Sequence, residues 1–306
     1  MAREAQYRFE KMTWPQVDAA AVAGKVVIVP VGMLEDHGRH LPIDTDVVLA
    51  DGVCQAAARL VPDEVVLLPP VTHGYSPHHI DFPGTITIDW KAFVDYLLGI
   101  TRSLVYHGFR KILLVNGHGS NRPFIDIAAR LTVIEHPYAH CGSLSWWELT
   151  KVREVFNSLR ESDWAAHACE LETSVYLALQ PEHVDMSKAE ADTSFGPSPH
   201  FWSDLTGAPP AGYRNAVGLT EFWSVVTRDG VKGDPTKATA EKGAAVLAAA
   251  AEELAAIVRE FKSRPILPRV PHQTVRPPAQ PFFTDSTGAA LHHAAGAAPS
   301  QRTGGA

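Results

Sequence analysis

Histidines and carboxylates gather in three short stretches of this 306-residue chain. The first is Glu35-Asp36-His37-Gly38-Arg39-His40-Leu41-Pro42, followed by Thr45 and Asp46. Glu35 and His37 are two residues apart, so in an extended segment leaving a strand their side chains point the same way and reach one site. Imidazole and carboxylate donors suit zinc, manganese or iron, and a carboxylate such as Asp46 has two oxygens with which to bridge a pair of ions. The same residues also fit a polar loop after a strand, with His40 a satisfied surface histidine.

The second stretch is Asn116-Gly117-His118-Gly119-Ser120-Asn121. Glycines on either side of the histidine let the backbone turn sharply and bring the imidazole close to a ligand. A glycine-rich turn into a helix near Phe124, with Asn121 near its N-cap, is the plainer explanation. The third is His167-Ala168-Cys169-Glu170-Leu171-Glu172-Thr173-Ser174. If it opens a helix, helical spacing alone does not put Glu172 and His167 on one face. Acidic residues at a helix start are also what the helix dipole favours. Cys169 has no basic neighbour in sequence to lower its pKa and reads as a packed thiol. Between the first two lies a loop, Gly74-Tyr75-Ser76-Pro77-His78-His79 and Phe82-Pro83-Gly84-Thr85. Such a loop contacts substrate over a crevice or forms a tight turn.

Regular elements must carry these stretches. Lys25–Val31 is a β-branched run of the kind found in buried parallel strands, and Glu64–Pro69 and Lys111–Val115 read alike. Asp46–Leu60, Trp90–His107 and Phe124–Glu135 have helical spacing, and Tyr138–Ser145 forms a further strand. Alternating strands and helices predict an α/β fold with a layered, mainly parallel sheet and helices on both faces. Ligands of such sheets sit beyond the carboxyl ends of the strands. Two of the polar stretches begin there. The Ala-rich run 236–262 reads as a closing helix. We expect one domain over 1–264 and an extended or disordered tail over 265–306, rich in Pro, Ala, Gly, Thr and Ser.

Composition narrows the function classes. A net charge of -7 offers no basic face for nucleic acid. No run approaches the roughly 18 apolar residues of a membrane helix, and the first fifteen residues lack a secretory apolar core. Cys54, Cys141 and Cys169 are an odd, scattered set, which points to reduced thiols and a cytoplasmic protein. Trp146, Trp147, Trp202 and Trp223 are expected to pack rather than line a pocket. No Gly-x-Ser-x-Gly elbow surrounds Ser120 or Ser174, which disfavours a serine nucleophile.

Taken together, PVGMLEDHGRHLPIDTD at 30–46, GYSPHHIDFPGT at 74–85, NGHGSN at 116–121, HACELETS at 167–174 and GVKGDPTKATAEKG at 230–243 resemble the creatininase, or creatinine amidohydrolase, family. The resemblance covers roughly residues 20–260, with the motifs in order. It implies a creatininase-like fold, a homo-oligomer that is often a hexamer, and two divalent ions per chain, Zn, Mn or Fe. It places Glu35 and His118 on one ion, His37 and Glu172 on the other and Asp46 between them, with Glu170 in reserve for Glu172.

The reaction it implies is hydrolysis of a C–N bond in a small cyclic amide, formamide or ureido substrate by a metal-activated water, whose pKa falls from about 15.7 towards roughly 7. His167 would protonate the leaving nitrogen, and Ser76 or His79 would donate to the oxyanion. The glutamate that follows the NGH histidine in creatinine hydrolases is missing: Gly119, Ser120 and Asn121 stand there. Asp36 and Arg39 replace the family's usual Gln and Pro, and Arg39 adds a cation that favours an anionic or carbonyl-rich substrate. The competing reading is a non-catalytic small-molecule-binding or scaffold protein of a biosynthetic complex. The shared presence of Glu35, His37, Asp46 and His118 argues against it.

Overall fold

Val26–Val31 is buried along its whole length, as a strand covered on both faces must be. In the computed structural model, which describes residues 6–194, 198–214, 217–270, 272 and 274, this run is β1. The chain order is α1 (Trp14–Val22), β1, α2 (Thr45–Leu60), β2 (Val65–Leu67), α3 (Trp90–Tyr106), β3 (Lys111–Asn116), α4 (Arg122–Glu135) and β4 (His140–Ser145). It continues through α5 (Thr150–Leu159), β5 (Ala165–His167), α6 (Glu170–Leu179), α7 (Trp223–Val226), β6 (Lys232–Gly233) and α8 (Ala240–Ser263).

The first four strands form one parallel sheet in the order β2-β1-β3-β4. From β1 the chain steps outward to β2, then crosses back to place β3 on the other side of β1. The strand order therefore reverses between the carboxyl ends of β1 and β3, where open α/β sheets hold their ligands. Side chains alternate along β1. Val26 and Ile28 enter the core made with α2, α5, α6 and α8, among Val53, Phe156, Tyr176 and Leu254. Val27, Val29 and Val31 enter the opposite core, among Phe93, Leu97, Leu104 and Ile125 of α3 and α4. Helices thus cover both faces, and the fold is α/β as the alternation predicts.

Local chemistry explains the element ends. Asp89 caps α3 by accepting from the backbone N–H groups of Lys91 and Ala92, and Gly108 at φ 100° ends its last turn. The final helix starts at Ala240, later than its composition implies, because Pro235–Lys237 forms a separate 3-10 turn and the Thr239 side chain caps from Lys242 N–H. It packs on α2, α5 and α6. Its contact with α6 depends on Gly243, where a Cβ would lie 1.8 Å from the Ser174 carbonyl oxygen.

Several elements escape the sequence reading. Helix α4 begins at Arg122, and the Asn121 side chain does not cap it. Asn121 instead accepts from Tyr75 N–H at 2.9 Å and donates to Gly32 O at 2.9 Å, tying the 74–76 loop to the end of β1. Just beyond those residues, the 74–85 stretch contains a 3-10 turn, Pro77–His79. Helices α1 and α5 and the antiparallel β5–β6 ribbon are also new; the ribbon strands are too short to show a period. Among the described residues no helix is long and apolar enough to cross a membrane. Most of the expected tail, 265–306, lies outside the described residues.

Candidate metal centre

The three polar stretches converge beyond β1 and β3. Glu35 and His37 leave β1 in extended backbone, Asp46 lies in the first turn of α2, and His118 follows β3. Glu172 lies in the first turn of α6. All five are buried. Three donor sets come within ligand reach: Glu35, Asp46 and His118; His37, His167 and Glu172; and Glu35, His79 and His167.

Asp46 faces both ways. Its Oδ1 lies 3.2 Å from His37 Nε2, and its Oδ2 lies 3.1 Å from His118 Nδ1. Glu35 Oε1 is also 3.1 Å from His118 Nδ1. Donors about 2.1 Å from a common ion stand about 3 Å or slightly more apart, so these separations fit shared coordination. Glu35 Oε1, Asp46 Oδ2 and His37 Nε2 are buried atoms without a hydrogen-bond partner, as is His118 Nε2. Buried polar atoms are rarely left so. A cluster of them on ligand-type residues is what a bound cation would satisfy.

Neighbouring groups fix the ligand orientations. Ser76 Oγ donates to Glu35 Oε2 at 2.5 Å, leaving Oε1 for the cluster. Glu35 O accepts from His37 Nδ1–H at 3.4 Å, which leaves the Nε2 lone pair towards Asp46. Asn116 locks the His118 backbone: its Oδ1 accepts from His118 N–H at 3.1 Å, and its Nδ2 donates to His118 O at 2.7 Å. Cys169 Sγ, buried as the sequence predicts, donates to Glu172 Oε2 at 3.7 Å. Gly117 must lack a Cβ, because one would lie 2.3 Å from Asp46 O.

His167 and Glu172 share the site through a bend. Ala168, with φ 46°, is the single non-glycine residue at positive φ among the described residues, a conformation costing about 1–2 kcal/mol. It turns the chain from β5 into α6, bringing together side chains that helical spacing alone would separate. His167 Nε2 lies 2.8 Å from the Asp36 carbonyl oxygen, which can only accept, so Nε2 carries the proton. Nδ1 then faces the cluster, 3.8 Å from Glu35 Oε1.

Electrostatics match a cation site. Burial would depress the His37 imidazole, but Asp46, Glu172 and Glu35 outweigh it and raise the pKa to about 10. For His118, burial is overcome by Glu35 and Asp46, again giving about 10. Burial would raise Glu35, yet His118 and His79 hold its carboxyl well below the usual range. Glu172 moves upward, chiefly through burial. The carboxylates stabilise positive charge on the two imidazoles; bound divalent ions supply that charge instead.

The two candidates for the fifth ligand, Glu170 and Glu172, separate cleanly. Glu170 accepts from Ser162 N–H at 2.8 Å and from Lys242 Nζ at 2.6 Å, and Lys242 also reaches Glu161 Oε1 at 2.6 Å. It ties α8 to the loop before β5, while Glu172 faces the cluster.

Two expected substrate donors are otherwise engaged. Ser76 is wholly buried with its hydroxyl on Glu35. His79 Nδ1 lies 2.8 Å from Asp36 Oδ1, which accepts its proton and leaves Nε2 as an acceptor. Neither presents a donor to the groove. Asp36 instead supports both His79 and His167; burial would raise its pKa, but hydrogen bonds from the two histidines lower it to about 2. Arg39 is mostly exposed and paired with Asp229 at 2.6 Å, so its cation is directed away from the cluster. His40 is not at the surface: it is buried, with Nε2 2.9 Å from Thr173 Oγ1.

A groove of about 140 Å³ opens onto the cluster, lined also by Trp147, Leu205 and Trp223. Trp146 packs in the core as expected, but Trp223 roofs the groove, its ring stacked on His79 at 4.5 Å and edge-on to His167 at 5.1 Å. Nothing in its sequence context marks it; the signal is visible only once the segment folds back. A larger open cleft of about 480 Å³ between α4 and β4 has its charges already paired, Arg122 with Glu148 and Arg130 with Asp126. The chemistry lies in the smaller groove.

Fold and donor set together define a divalent-metal hydrolase with its centre at the switch point of a parallel sheet. The family model for creatininase, described as creatinine amidohydrolase, matches residues 10–258. The 3-dehydro-scyllo-inosose hydrolase of Thermotoga maritima is 30% identical over 273 residues, covering 86% of each chain. The creatinine amidohydrolase of Pseudomonas putida is 31% identical over 219 residues, covering 66% of this chain and 84% of that one. A solved manganese form of creatininase superposes with a TM-score of 0.71 at 26% identity, over 85% of this chain and all of that one. The chain belongs to the creatininase family and is a hydrolase of that family.

Proposed function

We propose that the chain hydrolyses a C–N bond in a small cyclic amide, formamide or ureido compound, using two divalent ions. The observation that carries this reading is Asp46, whose two carboxylate oxygens each face a different histidine. Glu35 and His118 would hold one ion, and His37 and Glu172 the other, with Asp46 between them. Bound ions there supply Lewis acidity towards a carbonyl and lower the pKa of a water towards about 7.

The chain's own residues complete the chemistry. His167 is oriented by its Nε2–H on the Asp36 carbonyl oxygen, so Nδ1 is free to take a proton and pass it to the leaving nitrogen. The Asp36–His79 pair buttresses that ring, 4.8 Å away between centroids. Trp147 and Trp223 narrow the groove and exclude bulk water, which strengthens each polar contact inside. The small volume favours a substrate of few heavy atoms. Free thiols throughout and the family resemblance support a cytoplasmic homo-oligomer as its setting.

Elemental analysis of protein purified without chelator tests the reading, alongside His118→Ala. About two transition-metal ions per chain, with a clear loss in the variant and turnover of cyclic amides or formamides by the parent, is the expected result. No metal after incubation with zinc, manganese or iron(II) would sink it, leaving a small-molecule-binding or scaffold role.

A further inference from the structure

The 74–85 stretch brings a second histidine to the groove, and it meets a serine of the 116–121 stretch. His78 Nε2 lies 3.0 Å from Ser120 Oγ, joining the Pro77–His79 turn to the Gly119–Asn121 turn. Both residues line the groove, and both are half-buried, whereas Ser76 and His79 are buried. The inner pair is engaged by Glu35 and Asp36; the outer pair borders the space a substrate would enter. The Asn121 side chain pins both turns to the sheet through Tyr75 N–H and Gly32 O. The framework, not a ligand, therefore sets the separation of the two groups.

We infer that His78 and Ser120 form the hydrogen-bonding wall that selects the substrate, and that the substrate is an uncharged amide bearing a hydroxyl group. The inference rests on the hydrolase reading above and narrows its substrate class. The hydroxyl follows from what the pair leaves unsatisfied. Burial and the neighbouring His79 and His118 lower His78 to about 3, so its ring is neutral, with a proton on one nitrogen and a lone pair on the other. If Ser120 donates to Nε2, its oxygen can only accept from the groove. If Nε2–H donates to Ser120, the serine proton is free to be given to the groove. Asp36 fixes the tautomer of His79, but among the described residues no second hydrogen bond fixes that of His78. A carbonyl oxygen suits one arrangement and an ammonium group the other. A hydroxyl both donates and accepts, and suits either.

The uncharged character follows from the lining. No lysine or arginine is among the residues that line the groove, and Arg39 is directed to Asp229. Glu35, Asp46 and Glu172 lie in the floor, where bound ions would offset them. Trp147, Leu205 and Trp223 supply apolar surface. Trp223 meets the His78 ring edge-on at 6.1 Å, so the pair interrupts an otherwise apolar upper wall. A wall built around a hydroxyl rejects a methyl in its place, because its own polar atoms are then left unpaired.

The test compares glycolamide with propionamide, which match in size and differ by a hydroxyl in place of a methyl, by calorimetric titration of the metal-loaded protein. The expected result is about tenfold tighter binding of glycolamide. That preference should be lost in Ser120→Ala and His78→Phe and kept in Ser120→Thr, with propionamide bound equally by all. Thermal melting shows which variants fold, and Ser120→Ala, which removes only the hydroxyl, decides the matter should His78→Phe disturb the structure. A preference that survives in folded Ser120→Ala would assign the hydroxyl to the metal ions and overturn the inference. So would equal binding of the two amides by the parent protein. Metal content and ammonia release are measured separately. A protein that holds no metal or releases no ammonia fails as a hydrolase, while its glycolamide preference still decides whether the pair reads a hydroxyl.

Discussion

Glu35, His37, Asp46 and His118 in the floor of the groove lie at the ends of β1 and β3 and in the first turn of α2, each buried and oriented by a nearby group. Trp223 in its roof comes instead from residues 180–233, whose described part holds short turns, one four-residue helix and a two-residue strand. The floor is rigid because a hydrogen-bonded sheet defines it on one side and helix packing on the other. The roof depends on ring contacts, which tolerate sliding and exchange of partners. Reaction type should therefore follow the floor, and substrate choice the roof.

Mutations can break that division. Asp46→Ala removes the one carboxylate facing both histidines, and we expect metal content to collapse and turnover to fall by about 10³-fold or more, read by elemental analysis and steady-state kinetics. Gly117→Ala attacks the same floor without touching a ligand. The Cβ would push on the Asp46 carbonyl, so denaturant titration should show a loss of about 2–3 kcal/mol together with weaker metal binding. Ser76→Ala frees one oxygen of Glu35; metal affinity should fall about 10–100-fold by competition with a chromophoric chelator, while the fold persists.

The metal-free protein sharpens the comparison by pH. His37 and His118 are raised to about 10 in the folded state, against about 6.5 when unfolded. A raised basic group contributes stability fully present below about 6.5 and lost as pH rises through about 10. Calorimetric melting of the apoprotein should therefore fall between pH 7 and pH 10, whereas the metal-loaded protein, whose imidazoles act as ligands, should not follow that trend. The smallest effect belongs to the roof. Trp223→Ala should raise KM several-fold with little change in metal content, and an equal loss of metal would show that the roof and floor are one unit.

The parts legible in the sequence are those with a local pattern. Strand β1 is uniformly apolar and β3 nearly so, and the motifs at their ends combine ligand types at spacings that an extended chain turns to one side. Glu172 and His167 were legible only as neighbours, since the bend at Ala168 that joins them has no sequence mark. The positions of Ser76 and His79 near the centre followed from the motif, but their hydrogen-bond partners did not, because Asp36 and Glu35 claim their donors through contacts more than forty residues apart. Trp223 read as a packing residue and lies over the reaction groove. An aromatic side chain carries no periodic signal within an irregular segment, so its place is set by what it folds against.

Lys242 gives the order in which the molecule is made a bearing on its chemistry. It follows every proposed ligand in the chain, yet its ammonium clamps Glu170 and Glu161 on either side of the strand that delivers His167. A growing chain exposes all five proposed ligands to solvent before this clamp exists. An ion captured then would meet a floor whose His167 and Glu172 arm is still unfastened by this clamp. Closure of the last helix is the step at which the centre can become selective.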